Sequence, residues 1–184
     1  MQYGLGLAEF IDKLYYGEEA TLAIVYGGYL GTGKSSYCIK GAAEVYGSHS
    51  GWADNVPNYE AVKPHLVFTP KEFVDKVLSQ KRREKVIIWD DMGLWLFAMD
   101  WYDPFVKATV KYFNVMRTDY AMILGNTPSP KMIVKRIQMF PDSIRIKISK
   151  RDTDLKHPSK PRLAKAYKVW SSPDMKRTGV TMQG

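Results

Sequence analysis

The chain has 184 residues, of which 45% are hydrophobic and 25% charged; this excludes an intrinsically disordered chain and suits one domain with a sizeable core. A formal net charge of +8, with a sequence pI of about 9.4, argues for a polyanionic partner such as nucleic acid or an acidic membrane surface, the alternative being a soluble domain with a basic surface. A single cysteine, Cys38, excludes an internal disulfide, and the most apolar stretch, 87–105, is broken by Asp90, Asp91, Asp100 and Asp103, which excludes an ordinary membrane span.

In chain order, Gly6 to Tyr16 places Leu7, Phe10, Ile11 and Leu14 at helical spacing and predicts an amphipathic helix. Thr21 to Tyr26 is an apolar run followed by glycines, the pattern of a buried strand, and Lys34 to Val45 reads as a helix stopped by Gly47. The segment 47–64 is rich in Gly, Ser, Asn and Pro and reads mostly as loop. His65 to Phe68 is a short strand. Thr69 then caps a helix that begins at Pro70 and carries Phe73, Val74, Val77 and Leu78 on one face.

Lys85 to Trp89 is a second buried strand, Pro104 to Met116 a helix, and Tyr120 to Leu124 a third apolar strand stopped by Gly125. Ser129 to Phe140 reads as a helix capped by Ser129, and Ser143 to Ser149 alternates as a strand with one wet face. After a polar loop, 150–161, Leu163 to Trp170 returns as the second arm of a hairpin, and the tail from Ser171 is polar and expected to be loose. Strands alternating with helices predict an α/β three-layer sandwich with a mainly parallel central sheet. A single domain, 1–184, is expected, its core spanning about 18–150 and a basic hairpin and tail 151–184.

Gly28-Tyr29-Leu30-Gly31-Thr32-Gly33-Lys34-Ser35 fits the phosphate-loop pattern G-x-x-x-x-G-K-[ST], and it stands between a buried strand and a helix as that loop must. The glycines let main-chain N–H groups face an anion, and the helix that follows adds its positive end. Lys34 is placed for the β- and γ-phosphates, Ser35 for Mg²⁺, and Ser36 for the α-phosphate. Val86 to Asp91 is an apolar strand ending in two carboxylates, and ligands of open α/β sheets bind beyond the carboxyl ends of the strands. Asp90 is therefore expected to face the metal and Asp91 to orient or deprotonate a water. Asn126, at another strand end, is placed to position that water, the alternative being a turn residue before Pro128. Arg136 is either an arginine finger for a neighbouring subunit or a helix-end cation held by the dipole, and Arg117 is a rival finger.

The order of these pieces resembles the P-loop ATPases with an additional central strand, across about Thr21 to Ser149. Gly28 to Ser35 match Walker A, Val86 to Asp91 match Walker B, Asn126 matches the sensor-1 position, and Arg136 sits where many AAA+ proteins carry the finger. The acidic pair followed by Gly93 is similar to the DnaA, DnaC and IstB group. The stretch from Arg117 to Ile137 is similar to the phage assembly ATPases of the zonula occludens toxin type, within the HerA/FtsK-like branch. The resemblance implies a P-loop NTPase fold, ATP and Mg²⁺ as cofactors, and, if the finger acts in trans, a homo-oligomeric ring, of which a hexamer is one form. The chain departs from AAA+ proteins in having no room for a helical lid, a compactness that suits a virus or mobile element.

Several further features carry two meanings. Trp95, Phe97, Trp101, Tyr102 and Phe105 either stack on bases or pack the core. Arg145, Lys147, Lys150, Arg151, Lys156, Lys160, Arg162, Lys165 and Lys168 make a basic hairpin that either tracks a phosphate backbone or protects a sheet edge. His49, His65 and His157 lack metal-ligand spacing. The leading expectation is an ATPase that couples hydrolysis to work on DNA. A small-molecule kinase and a nucleotide-gated assembly module with little turnover are the rivals. No secretory leader is expected, because Glu9 and Asp12 interrupt the first apolar residues, and a cytoplasmic location follows, the host's cytoplasm for a viral protein.

Overall fold

The computed structural model describes residues 5–28, 31–47, 56–149, 162–171 and 178–182. The helices are α1 (Gly6–Tyr16), α2 (Lys34–Val45), α3 (Pro70–Leu78), α4 (Met92–Trp95), α5 (Pro104–Phe113) and α6 (Lys135–Gln138). The strands are β1 (Thr21–Tyr26), β2 (Leu66–Val67), β3 (Glu84–Trp89), β4 (Tyr120–Thr127), β5 (Ile144–Ser149), β6 (Leu163–Ser171) and β7 (Thr178–Met182). They form one seven-stranded sheet in the order β2-β3-β4-β1-β5-β6-β7. β1 to β5 run parallel and β6 and β7 are antiparallel.

Residues of the central strands alternate between two cores, as a pleated sheet covered on both faces requires. Ala23, Val25, Val86, Ile88, Met122 and Leu124 face α1 and α2. Leu22, Ile24, Ile87, Trp89, Tyr120 and Ile123 face the α3–α5 side. This is the α/β three-layer arrangement with a mainly parallel sheet that the alternating pattern predicts. Arg83 fastens the end of α1 to the sheet, donating to the carbonyls of Tyr15 (2.5 Å), Leu14 (3.3 Å) and Glu19.

The structure corrects the sequence reading in five places. Ser129 to Phe140 is not one helix. Ser129 does cap, accepting from the Lys131 N–H, but only a 3-10 turn (Pro130–Met132) forms before Ile133 and Val134 turn extended. Ile133 pairs antiparallel with Phe97, and the Val134 N–H donates to the Leu96 carbonyl at 3.0 Å. Both β-branched side chains are buried, so core packing overrides a helix for which their branching disfavours them.

The expected strand at His65 to Phe68 shrinks to Leu66–Val67, because Glu60–His65 winds as 3-10 and the Trp95 indole takes the Phe68 carbonyl at 2.8 Å. β4 runs past Gly125 to Thr127, since that glycine sits under Met92 rather than ending the strand. The tail adds a third antiparallel strand, β7, to the predicted hairpin. On α3 only Phe73 is fully buried, and Leu78, expected inward, is 79% exposed. The loop 150–161 and the basic residues Lys150, Arg151, Lys156 and Lys160 lie outside the described residues, as do His49 and His157.

Two close approaches lock α4 onto the end of β4. A β-carbon on Gly93 would stand 2.8 Å from the Thr127 β-carbon, and Thr127 is fully buried and β-branched. A β-carbon on Gly125 would stand 2.5 Å from the Met92 sulfur, the flexible part of its side chain. Gly93→Ala is therefore expected to lower the unfolding free energy by about 1–3 kcal/mol, and Gly125→Ala by less, because only Met92 is able to swing aside. Denaturant unfolding of both variants checks the order of the two effects.

Candidate functional site

β1 delivers the chain to the carboxyl edge of the sheet, where it passes close to its neighbours. A β-carbon on Gly27 would meet the Ile148 carbonyl at 2.7 Å. Gly31 (φ +68°) and Gly33 (φ +92°) then take left-handed backbone that L side chains rarely adopt, and nothing stands within 4 Å of a β-carbon on Gly28 or Gly31. Tyr29 and Leu30 lie outside the described residues.

α2 begins at Lys34 with Gly33 as its N-cap, so no cap side chain satisfies the N–H groups of its first turn. Lys34 is buried, the residue being 9% exposed. Its hydrogen bond among the described residues is a long one, 3.5 Å, to Thr32 Oγ1. A buried cation without a carboxylate is costly. An anion set against the open turn satisfies both the lysine and the free N–H groups, so the chain's residues fit a phosphate group here. Ser36, one residue beyond Ser35, is exposed on the first turn of α2.

The acidic side of the site comes from β3 and β4. β4 lies between β1 and β3, with Val25 opposite Asn126 and Trp89 opposite Gly125, so Asp90 and Asn126 leave the sheet side by side. Asn126 is fully buried and all of its amide is used. Its Nδ2 donates to Asp90 Oδ1 and, at 3.3 Å, to Ser35 Oγ, while its Oδ1 accepts from the Asp91 N–H at 2.9 Å. One amide nitrogen thus holds Ser35 and Asp90 within two hydrogen-bond lengths of each other. The half-buried Asp90 and Ser35 oxygens are the hard donors that suit a magnesium ion also held by phosphate.

Asp91 follows in a left-handed turn (φ 51°, ψ 36°), with an exposed side chain at the start of α4. Cys38 is fully buried beneath the site, and its thiol is pushed well up, first by desolvation and then by the Asp90 carboxylate, while Lys34 opposes the shift.

The two arginines proposed as fingers are elsewhere. Arg136 is exposed on α6 and borders a groove between α5 and α6. Arg117 is exposed in the 3-10 turn before β4, at the amino edge of the sheet, a strand length of roughly 25 Å from Asn126 at about 3.3 Å per residue. Among the described residues, neither makes a contact with Lys34, Ser35, Asp90 or Asn126. The sequence reading missed one residue at the glycine turn, Arg162, whose Cγ lies 4.0 Å from where a β-carbon on Gly33 would stand. Only the pairing of β6 with β5 brings it there, and its sequence neighbourhood signals no more than a basic hairpin.

A strand–glycine turn–helix unit, with β4 inserted between that strand and the strand ending in Asp90, is consistent with a P-loop NTPase-like fold. No protein-family model matches the chain. It is similar to the uncharacterized protein B-251 of Sulfolobus spindle-shape virus 1, at 32% identity over 114 residues, which take in 60% of this chain and 44% of that protein. The chain therefore spans less than half the length of this viral relative. Among solved structures it is similar to the N-terminal domain of zonular occludens toxin from Neisseria meningitidis, with a TM-score of 0.50 and 13% identity over 90% of this chain and 94% of that one. At that identity the likeness is one of fold. Among the described residues, no helix is long and apolar enough to cross a membrane.

Two outcomes are expected from this geometry. Asn126→Ala leaves the Asp91 N–H and Asp90 without their partner and lowers stability by about 1–3 kcal/mol in denaturant unfolding; a change below about 0.5 kcal/mol means that the amide does not organise the site. Cys38, buried and held as the thiol, resists a thiol-specific reagent at pH 8 in the folded protein and reacts fully once denatured, as absorbance of the released chromophore reports.

Proposed function

We propose that the chain binds ATP with Mg²⁺ at the Gly28–Ser36 turn, hydrolyses it, and couples the hydrolysis to work on DNA. The observation that carries this reading is the Asn126 amide, which ties Ser35 to Asp90 beside a buried lysine with no carboxylate partner among the described residues. In this reading Gly28, Gly31, Thr32 and Gly33 shape the cradle, Lys34 grips the β- and γ-phosphates, and Ser36 serves the α-phosphate. Ser35 and Asp90 hold the magnesium ion, which neutralises phosphate charge when bound. Asp91 orients or deprotonates the attacking water, and Asn126 keeps Asp90 and the Asp91 backbone in register with Ser35.

DNA as the substrate is supported by the net charge of +8 and by the groove of about 690 Å³ between α5 and α6. Its rim is cationic, with Lys107, Lys111, Lys135 and Arg136 all exposed, and Trp101, 64% exposed, stands at its edge. Cations that track phosphates beside an exposed aromatic ring are what a single strand needs. The aromatic cluster thus divides: Phe105 packs against Trp89 at 6.1 Å between ring centroids, and Trp101 and Tyr102 stay exposed. The resemblance to a viral protein supports a viral origin, with a viral genome as the DNA moved. Arg136 or Arg117 serves as finger in a ring of subunits.

The test is phosphate release from Mg²⁺–ATP, with and without single-stranded or duplex DNA and across salt concentrations. Lys34→Ala is expected to abolish nucleotide binding. Asp91→Asn is expected to slow turnover by about 10²-fold or more. DNA is expected to stimulate the wild type, and salt to weaken that stimulation. Phosphoryl transfer to a nucleoside with no response to DNA would favour a kinase, and turnover no faster than that of Asp91→Asn would leave a nucleotide-gated module.

A further inference from the structure

We infer that Arg162 is a nucleotide-binding residue, supplied by the chain's own hairpin to the side of the triphosphate that is not transferred. The inference rests on the nucleotide-binding reading of the glycine turn and adds a ligand that the phosphate-loop pattern does not contain.

Three observations converge on this residue. The first is topological. β6 returns antiparallel beside β5, with Leu163 opposite Ser149, so the residue just before β6 arrives at the carboxyl edge of the parallel strands. That edge carries the glycine turn, and the neighbouring Ile148 carbonyl packs against Gly27. Arg162 is thus delivered to the same rim as Lys34.

The second is contact. The aliphatic stem of Arg162 lies over Gly33, with Cγ 4.0 Å from the place a β-carbon would take. Gly33 is the left-handed N-cap of α2, so the arginine stands over the end of the helix whose first N–H groups lack a cap side chain.

The third is an unmet bond. Among the described residues, Arg162 Nη1 is buried and has no hydrogen-bond partner. A guanidinium brings five donors in a planar fork and is always charged, so a buried arm without an acceptor carries a desolvation cost. Together with Lys34 it makes two cations around one glycine turn. A phosphate between them answers the unmet donor and the repulsion at once, and arginine is the side chain that recognises phosphate oxygens in bidentate fashion.

Its position along the sheet separates its role from that of the acidic residues. Asp90 and Asn126 reach the turn from the β4 side of β1, and Arg162 reaches it from the β5–β6 side. The acidic side is where metal and water act in the proposed reaction. The opposite wall faces the part of the nucleotide that stays behind, so Arg162 is assigned to phosphates that ADP and ATP share.

The experiment measures the affinity of the full chain for Mg²⁺–ADP and for a non-hydrolysable ATP analogue, using a fluorescent nucleotide as probe. Arg162→Gln keeps a stem over Gly33 and removes the charge; Arg162→Lys keeps a point charge without the fork. Arg162→Gln is expected to weaken both nucleotides alike by about tenfold, and Arg162→Lys to restore part of the loss. A loss confined to the triphosphate analogue overturns the assignment to shared phosphates. Unchanged affinity for both nucleotides overturns the inference, as does a loss of DNA binding alone, which would return Arg162 to the basic hairpin. A wild type that binds neither nucleotide sinks the underlying nucleotide reading instead. Thermal melting of Arg162→Gln without nucleotide is expected at or above that of the wild type, since an unmet buried donor is removed; a lowered melting temperature with intact affinities means a purely structural arginine.

Discussion

The buried amide of Asn126 is the joint on which the site depends. It is fixed by β4, it is completely shielded, and its two polar atoms reach three elements: Nδ2 donates to Ser35 on α2 and to Asp90 at the end of β3, and Oδ1 accepts from the Asp91 N–H at the start of α4. A buried polar group that is fully satisfied rigidifies its surroundings, and one that is partly satisfied is among the costliest features a core can hold. Asparagine suits this joint because it donates and accepts from one rigid plane, whereas an aspartate would face Asp90 with like charge. The insertion of β4 between β1 and β3 is therefore what brings a helix-borne hydroxyl and a strand-borne carboxylate together.

The same strand connects the site to the far side of the sheet. Thr127, next to Asn126, packs against Gly93 of α4, and α4 leads through Leu96 and Phe97 to the pairing with Ile133 and Val134. Beyond that pairing lies α6, which borders the cationic groove. The elements that touch Asp91 and those that line the groove are thus joined by a run of close contacts: the Thr127 side chain on Gly93, Phe97 paired with Ile133, and the Val134 N–H on the Leu96 carbonyl. Such contacts transmit displacement well, because interiors packed at crystal-like density have few voids in which to absorb it. Under the proposed function, this contiguous packing is the physical link between the water-activating residue and the surface that meets DNA.

Much of this was legible in the sequence, for identifiable reasons. The parallel strands are apolar runs bounded by turn residues, so composition alone marks β1, β3 and the body of β4. The phosphate-loop pattern marks the turn because its chemistry depends on backbone shape, which glycines advertise. Asp90 and Asn126 were readable as polar ends of apolar strands. What was hidden depends on contacts distant in sequence. Ile133 and Val134 have helical neighbours, and only their burial beside Phe97 extends them. Gly125 looked like a stop signal because the side chain above it, Met92, is 33 positions away by numbering. Arg162 was one of many cations until strand pairing put it over Gly33. The two finger candidates show the converse. Arg117 precedes the right strand but sits at its wrong end, which linear order does not reveal.

The distribution of charge gives the site an asymmetry that its packing does not relieve. On one wall stand Lys34 and Arg162, with a long hydrogen bond and a buried donor without an acceptor. On the other stand Asp90, paired only with neutral donors among the described residues, and Asp91, exposed in a strained turn. These charges do not neutralise one another across the turn, although salt bridges elsewhere, such as Lys85 with Asp12 at 2.7 Å, show that the chain pairs its half-buried ions where no ligand is needed. Unrelieved features of this kind lower the stability of a fold and persist where function requires them. A triphosphate with its metal carries the complementary pattern, anionic toward the lysine and arginine and cationic toward the aspartates. Under the proposed function, its binding would stabilise the fold, by an amount growing with ligand concentration as mass action requires.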